Sequence, residues 1–188
     1  MTAVVRLTLV SHGMTEAMAA GRFPADEPLN DAGRRLVEAV GRLDIRGVAR
    51  QLAGPERRTR QTAQLLGLEA TPEPRLADLD CGRWRGQTLG TVGPADLHSW
   101  LTEPAQAPHG GESIVDLIER VAGWLSSLTE NTVPDHTSRA VAVTHPAVIR
   151  AAILLALDIN PKSFWRIDIA PASRTVMHFR NRSWTLRL

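Results

Sequence analysis

LTLVSHGMTEA (residues 7–17) and AVAVTHPAVIR (residues 140–150) decide the fold. Each is a run of β-branched and apolar residues that stops at a histidine, His12 or His145, and then changes character. Such runs, stopped by turn-compatible residues, are typical of strands buried on both faces of a parallel sheet. A histidine in that position lies at the carboxyl edge of the sheet, where open α/β sheets bind their ligands. Arg57, Arg58 and Arg60 lie between the two runs and point to an anion as that ligand.

Working outward, residues 3–10 read as a first buried strand and Arg139 to Thr144 as another, with a strand over Arg46 to Ala53 stopped by Gly54-Pro55. Asp31 reads as the N-cap of a helix through Val40, and a second helix runs from about Arg58 to Leu66. TPEPRLADLD is a loop or edge element, and Gly82 to Pro108, rich in glycine and proline, covers one side of the site. IVDLIERVAGWLSSL carries apolar residues at helical spacing after Glu112-Ser113, and Pro146 suits the first turn of the next helix. The tail alternates in short runs, WRIDIA, RTVMHFR and SWTLRL, the last two joined by Asn181-Arg182 as a hairpin turn. Strand–helix alternation closed by a hairpin predicts a mixed, mainly parallel α/β sheet with helices on both faces, in a single domain over residues 1–188.

With 188 residues and 43 % hydrophobic content, the chain can bury a core without disulfides or metals. The single cysteine, Cys81, forms no intramolecular disulfide, and the sequence shows neither a signal peptide nor a membrane-spanning run, so a cytoplasmic location is expected. Lys162 is the only lysine, and the formal net charge is +2. The arginines are scattered rather than forming a basic stripe, which argues against nucleic acid. His98, His109, His136 and His178 show no metal-ligand spacing, and no cofactor is called for. Nothing sets the oligomeric state, and a homodimer is allowed for.

A neutral imidazole can attack phosphorus and hold the phosphoryl group covalently. The charge on that group calls for fixed donors around it, for which the planar fork of arginine is suited. His12, Arg58, His145 and one of the carboxylates Asp78 or Asp80 provide these parts. In this light LVSHGMTEA resembles LxRHGxTxx, the signature of the histidine phosphatase superfamily, which includes phosphoglycerate mutase and the alpha-ribazole phosphatase-like enzymes. DEPLNDAGRR resembles DxPLTxxGxxQA, GPERRTRQTA resembles SPLxRAxQTA, and LADLDCGRWRG resembles LxExDFGxWEG. HGGES resembles PGGES, and VTHPAVIR resembles VTHGGVIR. The similarity runs in order through nearly the whole chain.

The resemblance implies a three-layer α/β/α sandwich and a metal-independent phosphomonoesterase for a small phosphorylated metabolite. It makes His12 the nucleophile, Arg58 and His145 the phosphate clamp, and Asp78 the acid and then base, with Gly13 beside the phosphate. The departures are Ser11 in place of the first arginine, Pro146 beside His145, and aspartate as the acid. Arg22 ranks first to fill the space at Ser11, ahead of Arg57 and Arg85. Ser11 also motivates a second reading, a weak or inactive member that binds a phosphorylated ligand or partner; a phosphoglycerate mutase ranks third. Without a cation at position 11, His12 is expected to titrate higher than in arginine-bearing relatives. Among the tryptophans, Trp84 is the one expected nearest the site, and Arg120 and Arg150 are expected to pair with carboxylates on their own helices.

Overall fold

The computed structural model describes residues 4–47, 50–130 and 137–187. In chain order the elements are β1 (Val4–Ser11), α1 (Glu16–Ala19), α2 (Asp31–Val40), β2 (Arg50–Ala53), α3 (Arg57–Leu65), β3 (Thr71–Pro72), α4 (Pro94–Thr102), α5 (Ile114–Thr129), β4 (Thr137–Thr144), α6 (Pro146–Leu157), β5 (Arg174–Arg180) and β6 (Ser183–Arg187). They form a six-stranded sheet in the order β3-β2-β4-β1-β5-β6. The pairs among β3, β2, β4 and β1 are parallel, while β5 and β6 are antiparallel. The mixed, mainly parallel α/β sheet expected from the sequence is present.

Side chains alternate across β1, so each strand face meets its own helices. Leu7 and Leu9 pack with Leu117, Val121 and Trp124 of α5 and Val148, Ile149 and Ala152 of α6. Val10, with Val141 and Val143 of β4, packs against Val37 of α2 and Ala63 of α3. The helix ends follow local chemistry. Ser113 accepts a hydrogen bond from the Asp116 N–H in a reciprocal capping box that opens α5. The N-cap of α2 is Asn30, whose side chain accepts from the Gly33 N–H, and not Asp31, which sits one residue inside the helix.

Two other readings are corrected. WRIDIA is not strand-like: Pro161 opens a 3-10 helix over Pro161–Arg166, capped by Asn160. The glycine-rich stretch before Pro108 contains α4, started by Pro94 in its first turn. The Asn181-Arg182 turn is as expected, with φ of 52° and 63°, the pair of left-handed residues that a two-residue hairpin requires. Val48 and Ala49, within the expected second strand, and His136 lie outside the described residues. Among the described residues no helix is long and apolar enough to cross a membrane.

The chain turns sharply after β1 because α2 presses on it. A Cβ on Gly33 would stand 2.1 Å from the Met14 carbonyl oxygen and 2.6 Å from its nitrogen. Helix propensity favours alanine over glycine inside a helix by about 1 kcal/mol. Here the backbone contact reverses that sign, since overpacking a close contact typically costs ~1–3 kcal/mol. Gly33→Ala is expected to lower the midpoint of urea unfolding; a raised midpoint would contradict the close approach of α2 to the site turn.

Candidate active site

β1 and β4 end side by side, with Ser11 opposite Thr144. The His12 N–H donates to the Thr144 carbonyl at 3.0 Å. The two imidazoles therefore meet edge to face, with ring centroids 5.1 Å apart. His12 is buried, and its Nδ1 lies 2.7 Å from the Gly13 carbonyl oxygen. A carbonyl only accepts, so Nδ1 carries the proton and Nε2 keeps its lone pair. Burial, then the charges of His145 and Arg58, push the His12 pKa down to about 3. The ring is a neutral, tautomer-fixed base.

His145 is the N-cap of α6 and has no exposed surface. Its Nε2 lies 2.8 Å from Glu56 Oε2 and its Nδ1 3.3 Å from Asp78 Oδ2. Burial alone would lower its pKa, but the Asp78 and Glu56 carboxylates outweigh it and raise the value. Arg58, in the first turn of α3 and 2 % exposed, donates to Asp78 Oδ2 at 2.7 Å. Its Nε and Nη1 have no hydrogen-bond partner among the described residues. Burial works against ionised Asp78, but His145 and Arg58 overcome it and hold the carboxyl well below the usual range.

His12, Arg58 and Asp78 border a cavity of about 180 Å³ that Arg22, Arg150 and the ring of Trp165 also line, while His145 lies behind its wall in contact with Asp78. Of the arginines suggested near Ser11, Arg22 lines this cavity. Arg85 instead pairs with Asp80 at 3.0 Å and borders a neighbouring cavity. Asp80 accepts from the Gly82 N–H and shapes a turn, whereas Asp78 touches both Arg58 and His145. Ser11 is fully buried, and its Oγ has no partner among the described residues. The Gly13 N–H is taken by Thr62 Oγ1 at 3.1 Å. Gly13 is therefore a packing and tautomer-setting residue in this structure, without a free N–H for a phosphate. Cys81 also lines the cavity, but burial pushes its thiol up to about 12.

Several residues were not foreseen. Glu56 joins His145 to the Asp78 backbone, accepting the Asp78 N–H at 3.0 Å. Glu27 lines the cavity 4.0 Å from Arg58 Nη1. Arg120 pairs with Glu112 ahead of its helix and donates to the carbonyls of Arg75 and Ala77, fixing the segment that carries Asp78. Arg150 makes no ion pair among the described residues; its Nε donates to the Ile167 carbonyl, and its guanidinium lies 5.5 Å from the Trp165 ring centroid. The aromatic wall of the cavity is Phe23, Trp100 and Trp165, while Trp84 packs behind them.

A sequence model of the histidine phosphatase superfamily (branch 1) matches residues 7–188. Phosphoserine phosphatase 1 of Hydrogenobacter thermophilus is 27 % identical over 190 residues, covering 95 % of this chain and 89 % of that protein. A glucosyl-3-phosphoglycerate phosphatase of Mycolicibacterium vanbaalenii is 31 % identical, covering 84 % of this chain and 77 % of its own. A solved mycobacterial glucosyl-3-phosphoglycerate phosphatase in complex with VO3 superposes with a TM-score of 0.83 at 26 % identity, covering 97 % of each chain. Against a bifunctional protein of Mycobacterium tuberculosis, 30 % identical, this chain spans 50 % of the length.

The burial of His12 predicts its titration. Imidazole NMR should find His12 neutral, with its proton on Nδ1, throughout pH 5–8. A His12 midpoint near the ordinary 6.5 would mean that the ring is solvated and the site more open than described. Because its folded pKa is depressed, the same group makes the fold lose stability as pH falls from 6.5 toward 3.

Proposed function

The chain belongs to the histidine phosphatase superfamily, and from that premise we propose that it hydrolyses a small phosphomonoester through phospho-His12. One observation carries this reading. A neutral His12, its Nδ1 proton taken by the Gly13 carbonyl, shares its cavity with a buried Arg58 whose Nε and Nη1 make no hydrogen bond among the described residues. Buried donors without hydrogen bonds are costly, and phosphate oxygens that accept from them supply charge-assisted hydrogen bonds.

In the first half-reaction the His12 Nε2 lone pair attacks phosphorus, and the ester oxygen leaves with a proton. In the second, water attacks the phosphohistidine, its proton goes to the site base, and the freed His12 returns to its starting form. Asp78 is the acid and then the base. It is ionised in the ligand-free site, so it must gain a proton before it can give one. Its closest source is His145 Nδ1, 3.3 Å away. Phosphate binding draws Arg58 from Asp78 and so makes Asp78 a better proton acceptor.

The leaving group occupies the part of the cavity lined by Phe23, Trp100, Trp165 and the cations Arg22 and Arg150. That lining favours a compact alcohol bearing a second anionic group, which fits the phosphoserine and glucosyl-phosphoglycerate named for the relatives. Ser11 keeps the second reading, a binding protein with little turnover, in play. Its Oγ is buried, uncharged and without a hydrogen-bond partner among the described residues. Against that reading, although burial lowers the His145 pKa, the Asp78 and Glu56 carboxylates on its ring nitrogens raise it and favour a second positive group near Arg58.

Three measurements test the reading. With an aryl phosphate in the presence of chelator, His12→Ala should cost at least ~10³-fold in kcat, the order seen on removing a nucleophile; equal turnover by both proteins would end the phosphohistidine reading. Ser11→Arg should change turnover by less than about tenfold, whereas a gain above about 100-fold, roughly 2.7 kcal/mol of new transition-state stabilisation, would establish the binding-protein reading. Arg150→Met should raise KM for carboxylate-bearing phosphomonoesters by about tenfold, the worth of one charge-assisted hydrogen bond, and leave KM for a neutral alkyl phosphate within about twofold. Equal changes in both would remove Arg150 from substrate selection.

A further inference from the structure

Glu56 stands at the N-cap of α3, where a carboxylate is favoured by the helix dipole, especially ahead of Arg57, Arg58 and Arg60. Yet its side chain makes no capping hydrogen bond. Both oxygens are used elsewhere: Oε2 at 2.8 Å from His145 Nε2, and Oε1 accepting the Asp78 N–H at 3.0 Å. The stretch 54–63 shares Pro55, Arg58 and Gln61-Thr62-Ala63 with SPLxRAxQTA and departs from it at Gly54, at Thr59 and here, where the motif has leucine. The neighbouring backbone makes room for the pair. A Cβ on Gly54 would stand 3.1 Å from His145 Nε2 and 3.0 Å from Glu56 Oε2.

We infer that Glu56 is a positioning residue that keeps a proton on His145 Nε2, so that His145 exchanges protons with Asp78 through Nδ1 alone. The groups facing His145 are Glu56 and Asp78 on opposite ring nitrogens, Arg58, and the edge of His12. Glu56 is held below the ordinary carboxylate range by its hydrogen bond from His145, overcoming burial. An ionised carboxylate accepts and cannot donate, so Nε2 is the donor. The ring then has one exchangeable position, and that position faces Asp78.

The proton balance follows, and it rests on the phosphohistidine reading above. Before attack His145 holds protons on both nitrogens and Asp78 holds none. The Nδ1 proton passes to Asp78 and from there to the departing ester oxygen, leaving a neutral His145 that keeps its Nε2 proton and donates it in a hydrogen bond to Glu56. In the second half-reaction a proton of the attacking water returns through Asp78 to Nδ1. Without Glu56 the neutral ring could keep the proton on Nδ1 and present a bare Nε2, and the relay to Asp78 would stall.

The test compares Glu56→Leu and the near-isosteric Glu56→Gln with wild type on an aryl phosphate, whose leaving group departs without a proton, and on glycerol phosphate, whose alkoxide needs one. The ratio of kcat on glycerol phosphate to kcat on the aryl ester should fall on the order of 10–100-fold in Glu56→Leu, within the range of general-acid effects, with KM changed by less than about threefold. The basic limb of the kcat profile should move to lower pH in both variants, because His145 loses a carboxylate. A ratio and a limb that do not move would overturn the inference. Nitrogen-15 NMR of the wild type reads the same point without catalysis: once neutral, His145 should keep its proton on Nε2, and a proton on Nδ1 instead would refute it even if the variants fail to fold. If His12→Ala retains full aryl phosphatase activity, it is the phosphohistidine reading that fails, and the NMR result still decides the tautomer.

Discussion

The site depends on one register. β1 and β4 run parallel and end together, Ser11 opposite Thr144, and the His12 N–H closes the ladder onto the Thr144 carbonyl. One further residue on each strand puts the two imidazoles in contact. A slip of one residue would turn His12 to the other face and point Val10 and Leu9 away from their separate cores. The two hydrophobic cores therefore enforce the active-site geometry, and the histidines need no bond to each other to stay aligned.

With the register fixed, burial does much of the work that charge is usually asked to do. Desolvation is the largest influence lowering the His12 pKa, ahead of His145 and Arg58. An arginine missing at position 11 is thus a smaller loss to the neutrality of His12 than a count of cations implies, since burial is the largest influence holding the ring uncharged. The phosphate is another matter, because it needs charge as well as a neutral partner. The Glu56 and Asp78 carboxylates stand on the two ring nitrogens of His145 and favour positive charge on a ring already held by the strand end. Asp78 also engages a donor of Arg58, so an anion bound by Arg58 would compete with that carboxylate.

How much of this was legible in the sequence follows from what each signal depends on. Buried parallel strands are written locally, as apolar runs ending in His12 and His145, and so were found. Arg58 and Asp78 came from motif spacing, and the structure brings both to the cavity. Glu56 could not be read, because an acidic residue before a basic helix looks like a cap, and only the fold shows its oxygens turned to His145 and Asp78. Arg120 and Arg150 misled for a similar reason. Their partners are not one helical turn away but Glu112 and the 75–78 carbonyls in one case, and Ile167 with the Phe164 and Trp165 rings in the other. α4 was hidden by its flanking glycines, and with it the placing of Trp100 instead of Trp84 at the cavity wall.

The Arg120 clamp shows why a loop can hold the Asp78 carboxylate as firmly as a strand would. After β3 the chain has only a short 3-10 turn before Asp78, so its carbonyls lack ladder partners. Arg120 supplies them, donating through Nη1 to the Arg75 and Ala77 carbonyls and through Nη2 to that of Asp78, while Glu112 takes its remaining donors in a two-point pair. A partly buried ion pair gains little by itself, because desolvation offsets attraction. Its value lies in geometry: a planar guanidinium fixes several acceptors at once, which a lysine, with one charged nitrogen, would not reproduce. From the other side Glu56 accepts the Asp78 N–H. Asp78 is thus held by its own backbone on two sides, which frees its carboxylate to bind Arg58 and to face His145.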